Sequence, residues 1–282
     1  LHPLGSEVAP VQLFLDNNQL EEIPTDENGI FCNIADMTDF SASYNKLRKF
    51  PDIFKDAKSA IDNIDLSYNR ITDFTEEETA AFHGVFVETL TLTGNTGITK
   101  FPKWLADSES QVAYIILRGC GITEIPEGSF KGKYSNQFMS FDLTYNRLSK
   151  LPDEFNALQL PNLYGLDISQ NAFSKFPTGP LTCKGLTILG IRGQRDADGE
   201  RCLREWPTGL YNHVGLRGFY IGSNDLRKID DTISTAIWTL DISDNPNITF
   251  DASGVCSAWQ SGAYVLIYDK TQNIVNCDAM LE

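Results

Sequence analysis

The residue types that enzymes use for catalysis are few and scattered in this chain. Its three histidines are His2, His83 and His213, and it contains no His-Glu-x-x-His motif and no glycine-rich phosphate loop after a strand. A serine or cysteine nucleophile needs a histidine within hydrogen-bonding reach, and these positions offer no such arrangement. We therefore expect a protein that is not an enzyme and that uses no cofactor.

Six cysteines are spread along the chain without a Cys-x-x-Cys pair, which removes the usual zinc and redox spacings. Cys32, Cys120 and Cys183 are predicted to be small buried residues, and for Cys120 this is favoured over a reactive thiol. Cys256 and Cys277 are the only two that we consider for a disulfide, which would be worth roughly 3 kcal/mol. The sequence leaves that bridge open, and with it the redox compartment.

Tyrosine and arginine, which protein interfaces favour, occur together with aspartate in the middle of the chain. Ile116, Asp142 and Asp167 follow one another at intervals of about 25 residues, with arginines and tyrosines close by in the sequence. A fixed interval indicates a structural repeat, so the repeated elements decide whether these side chains meet.

The stretch from Phe141 to Pro152 has the pattern L-x-L-x-x-N-x-L-x-x-L-P, with phenylalanine in the first leucine position. Phe141 and Leu143 are predicted to be the inward side of a short strand, because side chains alternate faces along a strand. Asn146 follows where the chain leaves the strand, and its amide can satisfy backbone groups that a turn leaves unpaired. One such unit cannot bury its own apolar side and needs a copy on each side.

Ten copies of the unit occur in register. Their first strand residues are Leu13, Phe40, Ile64, Leu90, Ile115, Phe141, Leu166, Leu189, Phe219 and Leu240. This motif and its period resemble the leucine-rich repeat (LRR) family over roughly residues 11–250. The resemblance implies an α/β solenoid, an LRR horseshoe with a concave parallel β-sheet and a convex side of short helices or 3-10 turns. The units look most like LRR domains of bacterial secreted or cell-surface proteins.

We expect a single LRR domain over residues 1–282, made of a lead-in (1–10), ten repeats (11–250) and a C-terminal capping repeat (251–282). The apolar run from Tyr264 to Tyr268 predicts an eleventh strand that ends the sheet. The chain starts at Leu1, and ten residues precede the first strand. We infer that an N-terminal part, either a signal segment or a preceding domain, has been removed.

The eighth repeat carries an insertion within Arg195 to Cys202 that should stand on the rim of the concave face. It contains Asp196, Asp198 and Glu200, a set that resembles a calcium loop only superficially. The ligand number and spacing of an EF-hand are missing. We therefore predict an acidic, solvated hairpin tip in preference to a metal site.

The charge balance restricts the partners. The chain has 38 acidic and 23 basic residues, a net charge of −15. This argues against nucleic acid and anionic membrane surfaces, because phosphate binding depends on clustered lysine and arginine. No apolar run is long enough to span a bilayer, so we expect no membrane insertion of this part.

The repeat motif identifies the residues that should point out of the concave face. One row runs between the two inward strand residues and includes Ile116, Asp142, Asp167 and Tyr220; the next row includes Arg118 and Arg192. Isolated Asp and Ser are ordinary usage for such repeats, whereas repeats five to nine add aromatic and cationic residues. The predicted partner-binding residues are Tyr114, Ile116, Arg118, Asp142, Tyr145, Asp167, Arg192 and Tyr220.

A charge pattern is predicted within this set. Asp142 and Asp167 should be neighbours on adjacent strands, so the pKa of one should rise unless cations compensate. Arg118 should lie diagonal to Asp142 and Arg192 diagonal to Asp167, which predicts an Arg–Asp–Asp–Arg row. The alternative is four unrelated surface charges.

These features favour a non-catalytic binding module that recognises a protein partner through its concave face, with a secreted or cell-surface location. A structural spacer or adhesin segment that displays a neighbouring domain is the main alternative, and glycan binding is the third.

Overall fold

Eleven short parallel strands, one per repeat, form a single sheet in the order in which they occur along the chain. The computed structural model describes residues 11–23, 37–54, 60–75, 82, 84–107, 110–229, 233–234 and 236–277. The strands of this sheet are β1 (Val11–Phe14), β2 (Met37–Ser41), β3 (Ile61–Asp65), β4 (Phe86–Thr91), β5 (Gln111–Ile116), β6 (Ser140–Asp142), β7 (Gly165–Asp167), β8 (Ile188–Gly190), β9 (Gly218–Tyr220), β11 (Thr239–Asp241) and β13 (Val265–Ile267).

The sheet register follows the repeat motif. Phe141 pairs with Leu166 and Asp142 with Asp167, so equivalent residues of successive repeats lie side by side. Every described strand pair in the sheet is parallel, and β13 lies at its edge as the predicted eleventh strand. The predicted solenoid with a parallel sheet is confirmed.

The opposite side carries short helical turns and a second, smaller sheet. The helices are η1 (Asp52–Phe54), α1 (Trp104–Asp107), η2 (Ser135–Gln137), η3 (Gly179–Thr182), η4 (Leu210–Asn212) and α2 (Cys256–Gln260). Strands β10 (Lys228–Ile229), β12 (Thr249–Asp251) and β14 (Asn273–Val275) form the small parallel sheet. The described helices have three to five residues each, as expected for the convex turns of such a solenoid.

One continuous core runs through the solenoid between the strands and the convex turns. Phenylalanine fills much of it: the ring of Phe130 packs edge-on against those of Phe138, Phe141 and Phe155, with centroids 5.0–6.1 Å apart. Such pairs stabilise beyond their buried area. The strands are therefore held by the same residues that set their spacing.

The repeat asparagines connect neighbouring turns through buried hydrogen bonds. Asn146 accepts three backbone N–H groups of the preceding repeat at its Oδ1, those of Cys120, Gly121 and Ile122, at 2.9–3.1 Å. Its Nδ2 donates to the carbonyl of Leu117 at 2.8 Å. These bonds satisfy backbone groups where the chain leaves the strand, as the motif predicted.

Cys120 takes the place of this asparagine in the fifth repeat. Its thiol donates to the carbonyl of Leu92 at 3.2 Å, the kind of bond that Nδ2 makes elsewhere. A thiol has no amide oxygen to accept the N–H of the preceding repeat, here that of Ile98. This N–H donates instead to the carbonyl of Asn95 within its own repeat, which has one extra residue at this point. Burial raises the pKa of Cys120 to about 12, so the predicted structural thiol is confirmed.

The residue before each repeat asparagine has left-handed backbone geometry. Tyr44, Tyr68 and Tyr145 have φ values of 53–56°, and glycine occupies this position in other repeats. We call the resulting row of outward side chains the turn ridge. Its members are Asn17, Tyr44, Tyr68, Gly94, Gly119, Tyr145, Gln170, Gly193, Ser223 and Asp244.

The C-terminal segment is closed by a disulfide between Cys256 and Cys277, whose Cα atoms are 5.5 Å apart. The bond joins α2 to Cys277, the second residue after the last strand of the small sheet. Cys183 is buried as predicted and Cys202 is partly exposed, both as free thiols. Cys32 lies outside the described residues.

Candidate binding surface on the concave face

The structure brings the predicted site residues onto adjacent strands of the concave face. Ile116 pairs with Asp142, and Asp142 pairs with Asp167. The row continues through Gly190 to Tyr220. Five strands, β5 to β9, thus position one row of outward residues.

Tyr114 lies two residues before Ile116 on β5 and contacts a residue that the sequence did not identify. Its ring meets that of Tyr164 edge-on, with centroids 6.2 Å apart. A hydrogen bond with Tyr114 and then burial raise the pKa of Tyr164. Tyr164 immediately precedes β7, a position that the repeat motif does not mark as outward.

Arg118 stacks on an aromatic ring instead of pairing with a carboxylate. Its guanidinium carbon lies 4.5 Å from the ring centroid of Tyr145, whose side chain is 54% exposed. Arg118 forms no ion pair with any residue that the structure describes. The stack joins the concave face to the turn ridge and leaves the guanidinium free for a partner.

Arg192 does not pair with Asp167, so the predicted Arg–Asp–Asp–Arg row is wrong at this end. Its Nη1 lies 2.9 Å from Oδ2 of Asp241, two strands away from its own repeat. Gly222 occupies the outward position between them, and a Cβ atom there would lie 3.0 Å from Oδ1 of Asp241. Because Gly222 has no side chain, Arg192 can reach Asp241. Rules for contacts between adjacent strands do not predict a contact that passes over the strand between two residues.

Asp142 and Asp167 show the predicted crowding of two carboxylates. Burial raises the pKa of Asp167, and the charge of Asp142 raises it further, while bonds from Ser169 and the charge of Arg118 oppose the rise. The side chain of Asp167 leans over Gly190, where a Cβ atom would lie 2.5 Å from Oδ1. Gly190 therefore leaves room for this carboxylate, whose Oδ1 accepts the N–H of Ser169 at 2.9 Å.

The opposite end of the concave face is acidic. Asp16, Asp39 and Asp65 line a hollow of about 340 Å³ together with Asn63. Asp39 accepts hydrogen bonds from Asn63 and Gln12, which lower its pKa against a small burial penalty. Among the described residues, the face thus carries carboxylates at this end without arginine, whereas from repeat five onward it carries both arginines and carboxylates.

Two further exposed aromatic residues lie on the turn ridge. The rings of Tyr44 and Tyr68 stack at 4.5 Å, and their side chains are 53% and 48% exposed. The sequence analysis did not single them out. The signal was present, because both tyrosines occupy the same motif position as Tyr145, immediately before the repeat asparagine.

The rim insertion is a hairpin, as predicted. Arg195 and Arg201 form an antiparallel bridge, and Gly199 turns with a φ of 83°. Oδ1 of Asp196 accepts the N–H groups of Asp198 and Glu200 at 3.0 and 2.9 Å. The acidic residues thus form the turn itself.

A salt bridge fixes the hairpin to the body of the solenoid. Nη2 of Arg201 lies 2.5 Å from Oδ1 of Asp244, which belongs to the tenth repeat. The bond to Arg201 lowers the pKa of Asp244. Like the pair between Arg192 and Asp241, this contact joins repeats eight and ten.

The described residues contain no group of three or more His, Cys, Asp or Glu side chains that could hold a metal ion. His213 is buried; its Nδ1 accepts the N–H of Leu216 at 3.0 Å, and its Nε2 lies 2.9 Å from the carbonyl of Cys183. Within the same residues, no helix has the length and apolar character that crossing a bilayer requires.

The chain has close matches among solved protein structures. No family model and no curated protein matches the chain. Among solved structures, it is similar to a leucine-rich repeat protein from Bacteroides thetaiotaomicron, with 41% identity and a TM-score of 0.86 over 96% of this chain. A leucine-rich repeat protein from Bacteroides eggerthii gives 43% identity and a TM-score of 0.87, also over 96%. The chain spans 33% of the first protein and 45% of the second.

A leucine-rich repeat protein from Leptospira interrogans shares the fold at lower similarity. It is 20% identical, with a TM-score of 0.58, and the match covers 94% of this chain and 67% of that one.

Proposed function

Because this chain is a leucine-rich repeat protein, as its repeat motif predicted, we propose that it is a non-catalytic module that binds a protein partner through its concave face. The row from Ile116 to Tyr220, together with the exposed stack of Arg118 on Tyr145, is the observation that supports this site. Tyrosine and arginine at the centre of a rigid surface are typical of binding hot spots.

The charge distribution supports a partner with a complementary pattern. Asp16, Asp39 and Asp65 make one end of the concave face acidic, whereas Arg118 in its middle has no ion-pair partner in the described chain. Complementary charges fix the orientation of a partner and speed its association. We propose that the partner lies along the solenoid, with basic groups toward repeats one to three.

We further propose that the module is a single domain, secreted or exposed at the cell surface. The disulfide between Cys256 and Cys277 supports this location, because such bonds persist in oxidising compartments. Isolation of the natural protein, followed by mass mapping with and without reduction, tests this. A reduced pair in the freshly isolated protein would contradict the proposed location.

A pull-down from the native surface environment with this chain as bait tests the binding function. Tyr220→Ala and Arg118→Ala should each weaken capture of the retained protein by at least tenfold, the range of hot-spot truncations. Tyr211→Ala is the matched control, because Tyr211 is 50% exposed on the convex turn η4. Its capture should equal that of the parent.

The alternatives give different results in the same experiment. A spacer or adhesin segment would retain no partner that depends on Tyr220 or Arg118. A glycan-binding module would bind on a glycan array. The structure favours protein over glycan, because Tyr44 and Tyr68 stack on each other and Arg118 covers the ring of Tyr145, which occupies ring faces that a sugar would use.

A further inference from the structure

A cleft separates the rim hairpin from the turns of repeats six and seven. Its volume is about 720 Å³, within the range of ligand-binding sites. Tyr145, Arg147 and Gln170 line one wall, and Gly193, Arg195 and Asp196 line the other. The cleft exists because the eighth repeat carries an insertion, and the rim hairpin forms one of its walls.

Arginine dominates the chemistry of this cleft. Arg147 is exposed, and neither it nor Arg195 forms an ion pair with a described residue. Arg118 stacks on the ring of Tyr145 but does not itself line the cleft. Two arginines that form no ion pair with a described residue stand out in one cleft of a chain whose net charge is −15.

The cleft is fixed in shape before any ligand arrives. Nη1 of Arg195 donates to the carbonyls of Ser223 and Gln194 at 3.0 and 3.3 Å, which orients the side chain. The salt bridge of Arg201 with Asp244 holds the hairpin. Asp196 brings the one carboxylate of the lining, and one of its oxygens is taken by two N–H groups of its own turn. Binding therefore costs little ordering of the Arg195 side chain, whereas the exposed side chain of Arg147 is ordered only when the ligand binds.

We propose that this cleft binds an acidic, extended segment of a protein partner, whose Asp or Glu carboxylates are held by the guanidinium groups of Arg147 and Arg195. The planar guanidinium fork matches a carboxylate with two parallel hydrogen bonds, which makes arginine the preferred residue for this group. The inference rests on the proposed function, because Tyr145 belongs to both surfaces. It extends that function by naming the chemistry of the segment that docks beside the concave face.

The probe is a fluorescein-labelled peptide of alternating Glu and Gly, ten residues long, with binding to the full chain followed by fluorescence anisotropy. The same peptide with every Glu replaced by Gln is the ligand control. We expect the Glu peptide to bind, the Gln peptide not to bind, and the affinity to fall as salt rises. Equal binding of the two peptides would show that the cleft does not recognise carboxylates and would overturn the proposal.

Arg147→Gln carries the test, since the exposed side chain supports no other part of the fold. Loss of one charge-assisted contact should weaken the Glu peptide about tenfold. Arg70→Gln is the matched control, because Arg70 follows its repeat asparagine in the same way but lies three repeats away. It should bind like the parent, and an equal loss in both variants would indicate general charge attraction and contradict the site.

Arg195→Gln tests the hairpin wall and is paired with a thermal melt, because Arg195 also supports Ser223. Normal melting with weaker binding supports the proposal, whereas normal melting with unchanged binding removes Arg195 from the site. A uronic acid oligosaccharide is the second probe. If it binds through Arg147 while the Glu peptide does not, the cleft takes acidic glycan and the peptide assignment is wrong.

The two proposals fail separately. Tyr220→Ala should leave binding of the Glu peptide unchanged, since Tyr220 does not line the cleft. If the peptide depends on Arg147 but no captured protein depends on Tyr220, the concave-face function fails and the cleft stands. If capture depends on Tyr220 while the peptide is not bound, the cleft assignment fails alone.

Discussion

At the scale of single residues, Asn146 shows how one buried amide supports two repeats. Asn146→Ala should destabilise the chain by about 1–3 kcal/mol, because it leaves buried N–H groups of Cys120, Gly121 and Ile122 without an acceptor. Urea denaturation measures the loss. Asn18→Ala is the matched control: Asn18 fills the same motif position but is exposed, and its amide donates to the carbonyls of Leu15 and Asp16 in its own repeat. A comparable loss of stability in both variants would contradict the role of the buried asparagine hydrogen bonds between repeats.

The ionisation of Asp167 on the concave face makes the stability of the fold depend on pH. Burial, and then the charge of Asp142, raise its pKa in the folded chain. A carboxyl with a higher pKa when folded binds more protons in the folded state, so stability falls as pH rises from about 3.9 through that raised pKa. Asp167→Asn cannot ionise and should melt a few degrees above the parent at pH 7, with no gain at pH 3.

Asp39→Asn is the opposite control for this pH profile. Hydrogen bonds from Asn63 and Gln12 outweigh a slight burial penalty and lower the pKa of Asp39, so its ionised form adds stability above the unfolded pKa and loses it as pH falls. Its replacement should lower the melting temperature at pH 7. Parallel pH profiles for the two variants would show that these carboxylates do not differ as the structure implies.

At the scale of the elements, the strands depend on inward leucines. Leu143→Ala and Leu166→Ala should each cost about 2–5 kcal/mol, because both side chains are almost fully buried and their loss leaves a cavity. Leu158→Ala removes the same atoms at a site that is 83% exposed and should cost less than about 0.5 kcal/mol. Chemical denaturation of the three variants gives the comparison, and equal stabilities would refute the assigned register.

The strands could be predicted from the sequence, whereas the contact of Arg192 and the cleft beside the rim hairpin could not. Strand positions and register followed from the repeat, because the inward residues Phe141 and Leu166 recur with one period and can pair in only one way. The reach of Arg192 did not follow, since it depends on the missing side chain of Gly222 and on a long guanidinium arm. The cleft did not follow either, because the path of an inserted hairpin is set by its tertiary contact with Asp244.

At the scale of the whole molecule, the disulfide should stabilise the last turn of the solenoid. Cys256 and Cys277 are 21 residues apart, and a loop of this size is worth roughly 3 kcal/mol. A double replacement of both cysteines by serine should lower the denaturation midpoint, and hydrogen exchange should speed up first in β13 and β14. Cys202→Ser is the control, because that thiol is free. Unchanged exchange at this end would show that the bond does not hold it.

The contacts of Arg192 with Asp241 and of Arg201 with Asp244 give the solenoid an uneven mechanical character. Each joins repeats eight and ten across the repeat between them. In a solenoid each repeat contacts only its neighbours, so we expect its flexibility to be spread along the stack. The two ion pairs each span three repeats and should stiffen that part of the solenoid. Bending of the horseshoe should therefore concentrate in repeats one to seven. A partner that spans the concave face would then be positioned by the rigid repeats eight to ten, while repeats one to seven could adjust their curvature to it.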